Sequence, residues 1–309
     1  MSDAVLLFSG QGAQKVGMGK DLAEQSRSAA DLIREADRIL GFSLSQVMFE
    51  GPDDELTRTS RCQPALYVHS LMALAMLRER VPSVRPVAAA GLSLGEFTAH
   101  AAAGTFSFEQ GLRLVGRRGS LMEEACKATA GSMAAMIGGE EEDVAKLAAQ
   151  CDVDVANLNA PGQIVLSGTI AGIDAAVTRA KDFGVRKAIK LNVAGAYHSR
   201  LMSPAREALA RELSAADLNG PSIPVVCNVS ARPEADPPEI RRLLAEQVTG
   251  TVRWSESIRH LRDQGHRLFI ELGPGKVLAG LVAKIDRDAI IHSVETTADL
   301  DALAAALGG

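Results

Sequence analysis

Apolar residues along the chain follow two rhythms. Ala4-Val5-Leu6-Leu7-Phe8 is an unbroken apolar run, the pattern of a strand buried on both faces. Pro224–Val229, Arg267–Leu272 and Ile290–Val294 read as further strands. Between them lie helix-period segments: residues 20 to 50 with a break at Gly41, the apolar stretch Ala65–Leu77, and the amphipathic stretch Phe108–Glu124. Ala205–Leu213, Glu239–Val248 and Trp254–Gln264 continue the helical pattern. Strands alternating with helices predict an α/β protein with a parallel sheet.

The rhythm changes near Thr129. Ser132–Ile137 reads as a strand, Glu141–Gln150 as a helix, Val153–Asn157 and Gln163–Ser167 as two strands, Ile170–Phe183 as a helix and Lys187–Val193 as a strand. The order β-α-β-β-α-β is the split unit of a ferredoxin-like domain. The expected organisation is a discontinuous large domain, residues 1–128 and 196–309, carrying a small ferredoxin-like domain at 129–195.

Chemistry concentrates at Val87–Gly104, VAAAGLSLGEFTAHAAAG. Small apolar residues lead into Gly91-Leu92-Ser93-Leu94-Gly95, and a helix-like pattern follows. A G-x-S-x-G pentapeptide alone is compatible with a glycine-rich turn holding a chance serine. Between a strand and a helix it reads as a nucleophile elbow, and the parallel core is then expected to be hydrolase-like. Glycines flank Ser93 because a Cβ there would collide with neighbouring backbone. The free N–H groups and positive dipole end of the following helix suit a developing oxyanion. His100, seven residues further along that helix, lies two turns away and out of reach of the hydroxyl. His69, inside the long apolar helix, reads as a core histidine. His198, in Gly195-Ala196-Tyr197-His198-Ser199, follows a strand and precedes a helix, a fitting place for a general base. Of Arg117 and Arg118, one is expected to be solvated and the other to point inward, where it is expected to need a carboxylate partner. Gly10-Gln11-Gly12 lies at a strand's carboxyl end, where open α/β sheets bind ligands, but lacks the third glycine of a dinucleotide fingerprint. Gly273-Pro274-Gly275-Lys276 likewise lacks the spacing of a phosphate loop and reads as a tight turn.

Composition narrows the classes. The chain has 309 residues, 47% hydrophobic and 23% charged, with net charge −5. No basic excess points to nucleic acid. Ala65–Leu77 is short of the ~20 apolar residues needed to cross a bilayer, so no membrane role is expected. Cys62, Cys126, Cys151 and Cys227 are scattered without metal-ligand spacing. They read as reduced thiols of a cytoplasmic protein, with no metal and no redox cofactor.

Taken in order, one set of motifs resembles the malonyl-CoA:acyl carrier protein transacylases and the related acyltransferase domains of polyketide synthases. The matches are Phe8–Gln14 (FSGQGAQ), Gln63-Pro64-Ala65, Gly91–Glu96 (GLSLGE), Arg118-Gly119, Asn159–Gln163 (NAPGQ), Gly195–Ser199 (GAYHS), Val252-Arg253-Trp254 and Glu271–Leu278 (ELGPGKVL). They span almost the whole chain. The resemblance implies Ser93 as nucleophile, His198 as its base, and Gln11 with the Leu94 N–H as the oxyanion hole. It implies Arg118 as partner of the substrate's free carboxylate, and a backbone carbonyl near Arg253 orienting the histidine. It implies ping-pong transfer of a malonyl group from malonyl-CoA, with release of coenzyme A, to the phosphopantetheine thiol of an acyl carrier protein for fatty acid synthesis. A monomer is expected, though nothing in the sequence sets the oligomeric state. No cofactor is needed, since the partner carries the phosphopantetheine.

Two residues depart from the family pattern. Leu92 stands where histidine is usual before the nucleophile, and Thr251 where proline is usual before Val252-Arg253-Trp254. Tyr197 before His198 resembles the pattern tied to malonyl over methylmalonyl selectivity. Arg186, Lys187 and Lys190 are candidates for docking an acidic carrier protein, or else form a solvated strand edge. Three other readings remain: a trans-acting acyltransferase serving a polyketide synthase, a serine thioesterase or hydrolase using Asp263 or Asp286 with His292, and a catalytically idle scaffold.

Overall fold

The computed structural model describes residues 1–308. It is an α/β fold with a parallel sheet and a separate antiparallel sheet. The strands among the described residues are β1 (Ser2–Phe8), β2 (Val84–Gly91), β3 (Gly131–Ile137), β4 (Asp154–Ala160), β5 (Gln163–Thr169), β6 (Lys187–Lys190), β7 (Val225–Val226), β8 (Leu268–Leu272) and β9 (Ile290–Val294). The helices that build the site are α1 (Thr59–Arg80), α2 (Leu94–Ala102), α3 (Phe108–Ala128), α4 (Pro237–Glu246) and α5 (Val277–Ile285).

The parallel sheet has the order β7-β2-β1-β8-β9. Central β1 buries both faces: Ala4, Leu6 and Phe8 join one apolar core, while Val5 and Leu7 join the other. Its unbroken apolar sequence follows from that position. The long α1 is buried nearly all round, including His69, and so carries no polar face over Cys62–Leu74. Gly131–Lys190 supplies the four antiparallel strands in the order β4-β5-β3-β6, over a third core of its own. Two observed elements are shorter than the sequence suggests. β7 keeps only Val225–Val226 because the chain turns at Asn228, and β6 ends at Lys190 before the segment that lines the cavity below.

Parallel register places several loops on one edge. Phe8 pairs with Gly91 and with Leu272, so the loops after β1, β2 and β8 leave the sheet side by side. The antiparallel sheet is tied to this edge by backbone hydrogen bonds from Leu158 N–H to Val252 O and from Val252 N–H to Ala156 O. Thr251, a departure noted above, donates its hydroxyl to Val155 O at 2.7 Å and adds to that tether.

Candidate active site

Ser93 sits between β2 and α2 with φ 55° and ψ −106°, a left-handed conformation that a serine adopts only when its surroundings hold it there. The flanking glycines show why the turn can be this tight. A Cβ on Gly91 would lie 1.9 Å from the Gly95 carbonyl carbon, and one on Gly95 would lie 2.1 Å from Phe8 O. Asn228, just past β7, holds the turn from both sides. Its Oδ1 accepts from Ser93 N–H at 2.7 Å, and its Nδ2 donates to Gly91 O at 2.7 Å.

The Ser93 hydroxyl lies 2.7 Å from His198 Nε2. The other ring nitrogen, Nδ1, lies 2.8 Å from the backbone carbonyl of Gln247, the residue capping α4. A carbonyl only accepts, so Nδ1 carries the proton and Nε2 is the acceptor for Ser93 Oγ–H. Burial, and then the nearby Arg118 cation, push the His198 pKa down to about 4, so the ring is a neutral base at pH 7. The carbonyl that orients the ring is therefore that of Gln247, six residues before the expected Arg253. Arg253 O instead accepts from Ser257 N–H and Oγ in the next helix, while its side chain pairs with Glu256 at 2.7 Å. The chain turns between the end of α4 and Trp254, and that turn brings the earlier residue to the histidine.

Arg118 is the inward arginine of α3, 1% exposed, whereas Arg117 lies outside and pairs with Glu212. Its Nη2 donates to Ser93 Oγ at 3.0 Å and to Gln247 Oε1 at 2.9 Å, and its Nη1 donates to Gln63 Oε1 at 2.8 Å. Its Nε is buried without a partner. All three acceptors are neutral oxygens, so the guanidinium is held in place without a carboxylate. Burial pulls its pKa down to about 10, which still leaves it charged at pH 7. Leu94 is the first residue of α2, where an N–H has no intrahelical acceptor. Gln11 and Ser93 line one cavity of about 300 Å³, with Leu92, Asn159, Tyr197 and His198 among its walls. Tyr197 Oη shares a hydrogen bond with Thr59 Oγ1 at 2.6 Å, which fixes the ring beside the histidine. A larger cleft of about 530 Å³ beside Leu32, Leu71 and Phe108 holds neither Ser93 nor His198.

Three polar residues of this site escaped the sequence reading. Gln247 reads there as the tail of a helix and Asn228 as part of a strand. Glu96 lies 0% exposed behind the serine; its Oε2 accepts from Gln247 Nε2 at 2.6 Å and from Asn228 N–H at 3.0 Å. The one available signal was polarity out of place: an asparagine inside the apolar PVVCNV and a glutamate opening an apolar helix. Two histidines set aside in the sequence reading lie elsewhere: His69 is buried in the core, and His100 Nδ1 meets Thr105 Oγ1 at 3.0 Å. His292 pairs in β9 with Ile270, and the acceptor beside His198 Nδ1 is the Gln247 carbonyl, where a triad would place an aspartate.

A hydroxyl with its proton directed at a neutral imidazole, at the mouth of a helix and beside a buried cation, is equipped for acyl transfer through a serine ester. Comparison with known proteins agrees. Residues 5–297 match the acyl transferase domain family, and the chain belongs to that family. It is 44% identical over 292 residues to the malonyl CoA-acyl carrier protein transacylase of Bacillus subtilis (strain 168), covering 93% of this chain and 92% of that protein. Among solved structures, the acyl-carrier-protein-S-malonyltransferase from Bartonella henselae superposes with a TM-score of 0.94 at 39% identity, covering 100% of both chains. A malonyl-transacylase in complex with its type II polyketide acyl-carrier protein superposes with a TM-score of 0.95 at 34% identity, covering 99% of this chain and 100% of that one.

Proposed function

We propose that this protein transfers a malonyl group from malonyl-CoA to the phosphopantetheine thiol of an acyl carrier protein, supplying fatty acid synthesis in the cytoplasm. The observation that carries the reading is the meeting of Ser93, His198 and Arg118 within direct hydrogen-bonding distance. His198 Nε2 takes the Ser93 proton as Oγ attacks the thioester carbonyl. The Leu94 N–H and Gln11 stabilise the oxyanion, a contribution of roughly 3 kcal/mol per donor. Coenzyme A leaves with the proton returned by His198, and a malonyl-serine ester remains. The carrier-protein thiol then repeats the sequence in reverse. Arg118 turns from Ser93 Oγ to the malonyl carboxylate, which it binds as a fork. The chemistry needs only these side chains and no cofactor.

A strand order of β4-β5-β3-β6 with every neighbour antiparallel fits a ferredoxin-like unit inserted at 129–195, and a serine elbow after β2 fits a hydrolase-like core formed by 1–128 and 196–309. An acidic carrier protein has exposed cations to meet on two elements that lead to the cavity. Arg186 and Lys187 lie on or beside β6, which leads into the lining residues Leu191–Ala194; Lys190 is neutralised by Asp174 at 2.6 Å. At the other element, Lys276 and Lys284 are exposed beside the lining residues Val277 and Leu281.

The test is intact-protein mass spectrometry after mixing with malonyl-CoA, with acetyl-CoA and the Ser93→Ala variant as controls. A malonyl adduct on the unaltered chain alone is expected. Hydrolysis without an adduct would favour a thioesterase, and neither adduct nor turnover would refute the assignment. Transfer to a polyketide carrier protein in preference to a fatty acid carrier would move the enzyme to the other pathway.

A further inference from the structure

Arg118 and Glu96 are both buried, at 1% and 0% exposure, and they do not touch directly. Gln247 stands between them, its Oε1 accepting from Arg118 and its Nε2 donating to Glu96 Oε2. Glu96 also bears on Arg118 electrostatically, holding its cation. With Glu96 ionised, one buried cation faces one buried carboxylate. A buried charge without a counter-charge is costly, and so is a surplus one. A malonyl carboxylate on Arg118 would leave two anions facing one cation.

The surroundings of Glu96 hold a place for one more proton. Oε2 has both its donors, whereas Oε1 is buried with no N–H or O–H donor, and the only further donor at the carboxylate is the weak S–H of Cys227. His100, one turn along α2, spends Nδ1 on Thr105 Oγ1, and its Nε2 is also buried with no partner. A carboxylate oxygen of Glu96, a ring nitrogen of His100 and the Cys227 sulfur lie within 4.8 Å of one another. Where Nδ1 donates to Thr105, Nε2 is left as a free acceptor in the same buried pocket as the Glu96 carboxylate, which can take up a proton there.

We propose that Glu96 is the standing counter-ion of Arg118, and that binding of the diacid acyl group drives a proton onto Glu96 Oε1, facing His100. The inference rests on the role of Arg118 given above. The groups that face Glu96 are His100 on its own helix, Asn228 and Cys227 after β7, Gln247 at the end of α4, and Arg118 on α3, with His198 the neutral base beyond Arg118. Burial already raises the Glu96 pKa to about 7, against the pull of its hydrogen bonds and of Arg118. A second anion raises it further, so binding takes up a proton and malonyl-CoA affinity falls as pH rises above about 7.

The experiment is calorimetric titration of the full-length Ser93→Ala chain with malonyl-CoA, in buffers of different ionisation enthalpy. Acetyl-CoA serves as the control for the phosphates of coenzyme A. Malonyl-CoA is expected to take up about half a proton more than acetyl-CoA at pH 7, and close to one at pH 8. The surplus should vanish in Ser93→Ala/Glu96→Gln and shrink in Ser93→Ala/His100→Leu. Equal uptake for the two thioesters would overturn the proposal without any Glu96 variant having to fold. Surplus uptake surviving Glu96→Gln would overturn it too, by placing the proton on His198 or elsewhere. Malonyl-CoA binding no tighter than acetyl-CoA at any pH would instead defeat the carboxylate role of Arg118 itself.

Discussion

Replacing Arg118 by methionine separates two duties the side chain combines. It removes the guanidinium that would meet the malonyl carboxylate and keeps an unbranched apolar stem in a fully buried position. Losing one partner of a buried, hydrogen-bonded charge pair costs about 3–4 kcal/mol. At about 1.4 kcal/mol per tenfold, kcat/KM for malonyl-CoA is expected to fall by roughly 10²–10³. An acetyl group has no carboxylate to lose. It shares only the indirect damage, which is the lost donor to Ser93 Oγ, the two stranded amide oxygens of Gln63 and Gln247, and the lost cation facing Glu96. Acetyl transfer should therefore change by about tenfold or less, and the malonyl-to-acetyl ratio should drop at least tenfold. The assay is single-turnover acylation of Ser93 by each thioester, with thermal unfolding measured alongside. A parallel fall in both rates would refute the reasoning, because Arg118 would then only brace the serine and Gln247.

Other expectations follow from the same geometry. Gly95→Ala puts a Cβ 2.1 Å from Phe8 O, so stability should fall by about 2–3 kcal/mol, read from denaturant midpoints; an unchanged midpoint would mean that the β1–α2 approach is loose. His198 accepts a proton only below about pH 4, so acylation should keep its rate down to that pH and fall beneath it. Arg118→Met removes one of the two causes of the low value and should move this acid limb upward, toward the ordinary histidine range; a limb that does not move would refute the electrostatic coupling. Lys276→Glu/Lys284→Glu should raise the KM for carrier protein by about five- to tenfold. Acylation by a truncated malonyl thioester lacking the coenzyme A phosphates should be unaffected, and an unchanged carrier KM would clear α5 from the docking surface.

What the sequence could disclose followed from whether one residue's neighbours in the chain decided its role. β1 was legible because five consecutive apolar residues suit only a strand buried on both sides. The turn at Ser93 was legible because the glycines that permit it are adjacent to it. The carbonyl on His198 was not, because any residue has one, and only the course of the chain after α4 decides that Gln247 rather than Arg253 delivers it. Asn228 and Glu96 are tied to the serine turn across separations of 135 residues in one case and through a shared amide in the other, and no local pattern records such bonds.

Ser93 precedes the antiparallel sheet in the chain and His198 follows it, so their 2.7 Å contact closes a loop of 105 residues. The nucleophile is fixed to the parallel sheet; its base arrives on the strand of chain returning from the other one. The distance between them is thereby a gauge of how the two sheets are seated.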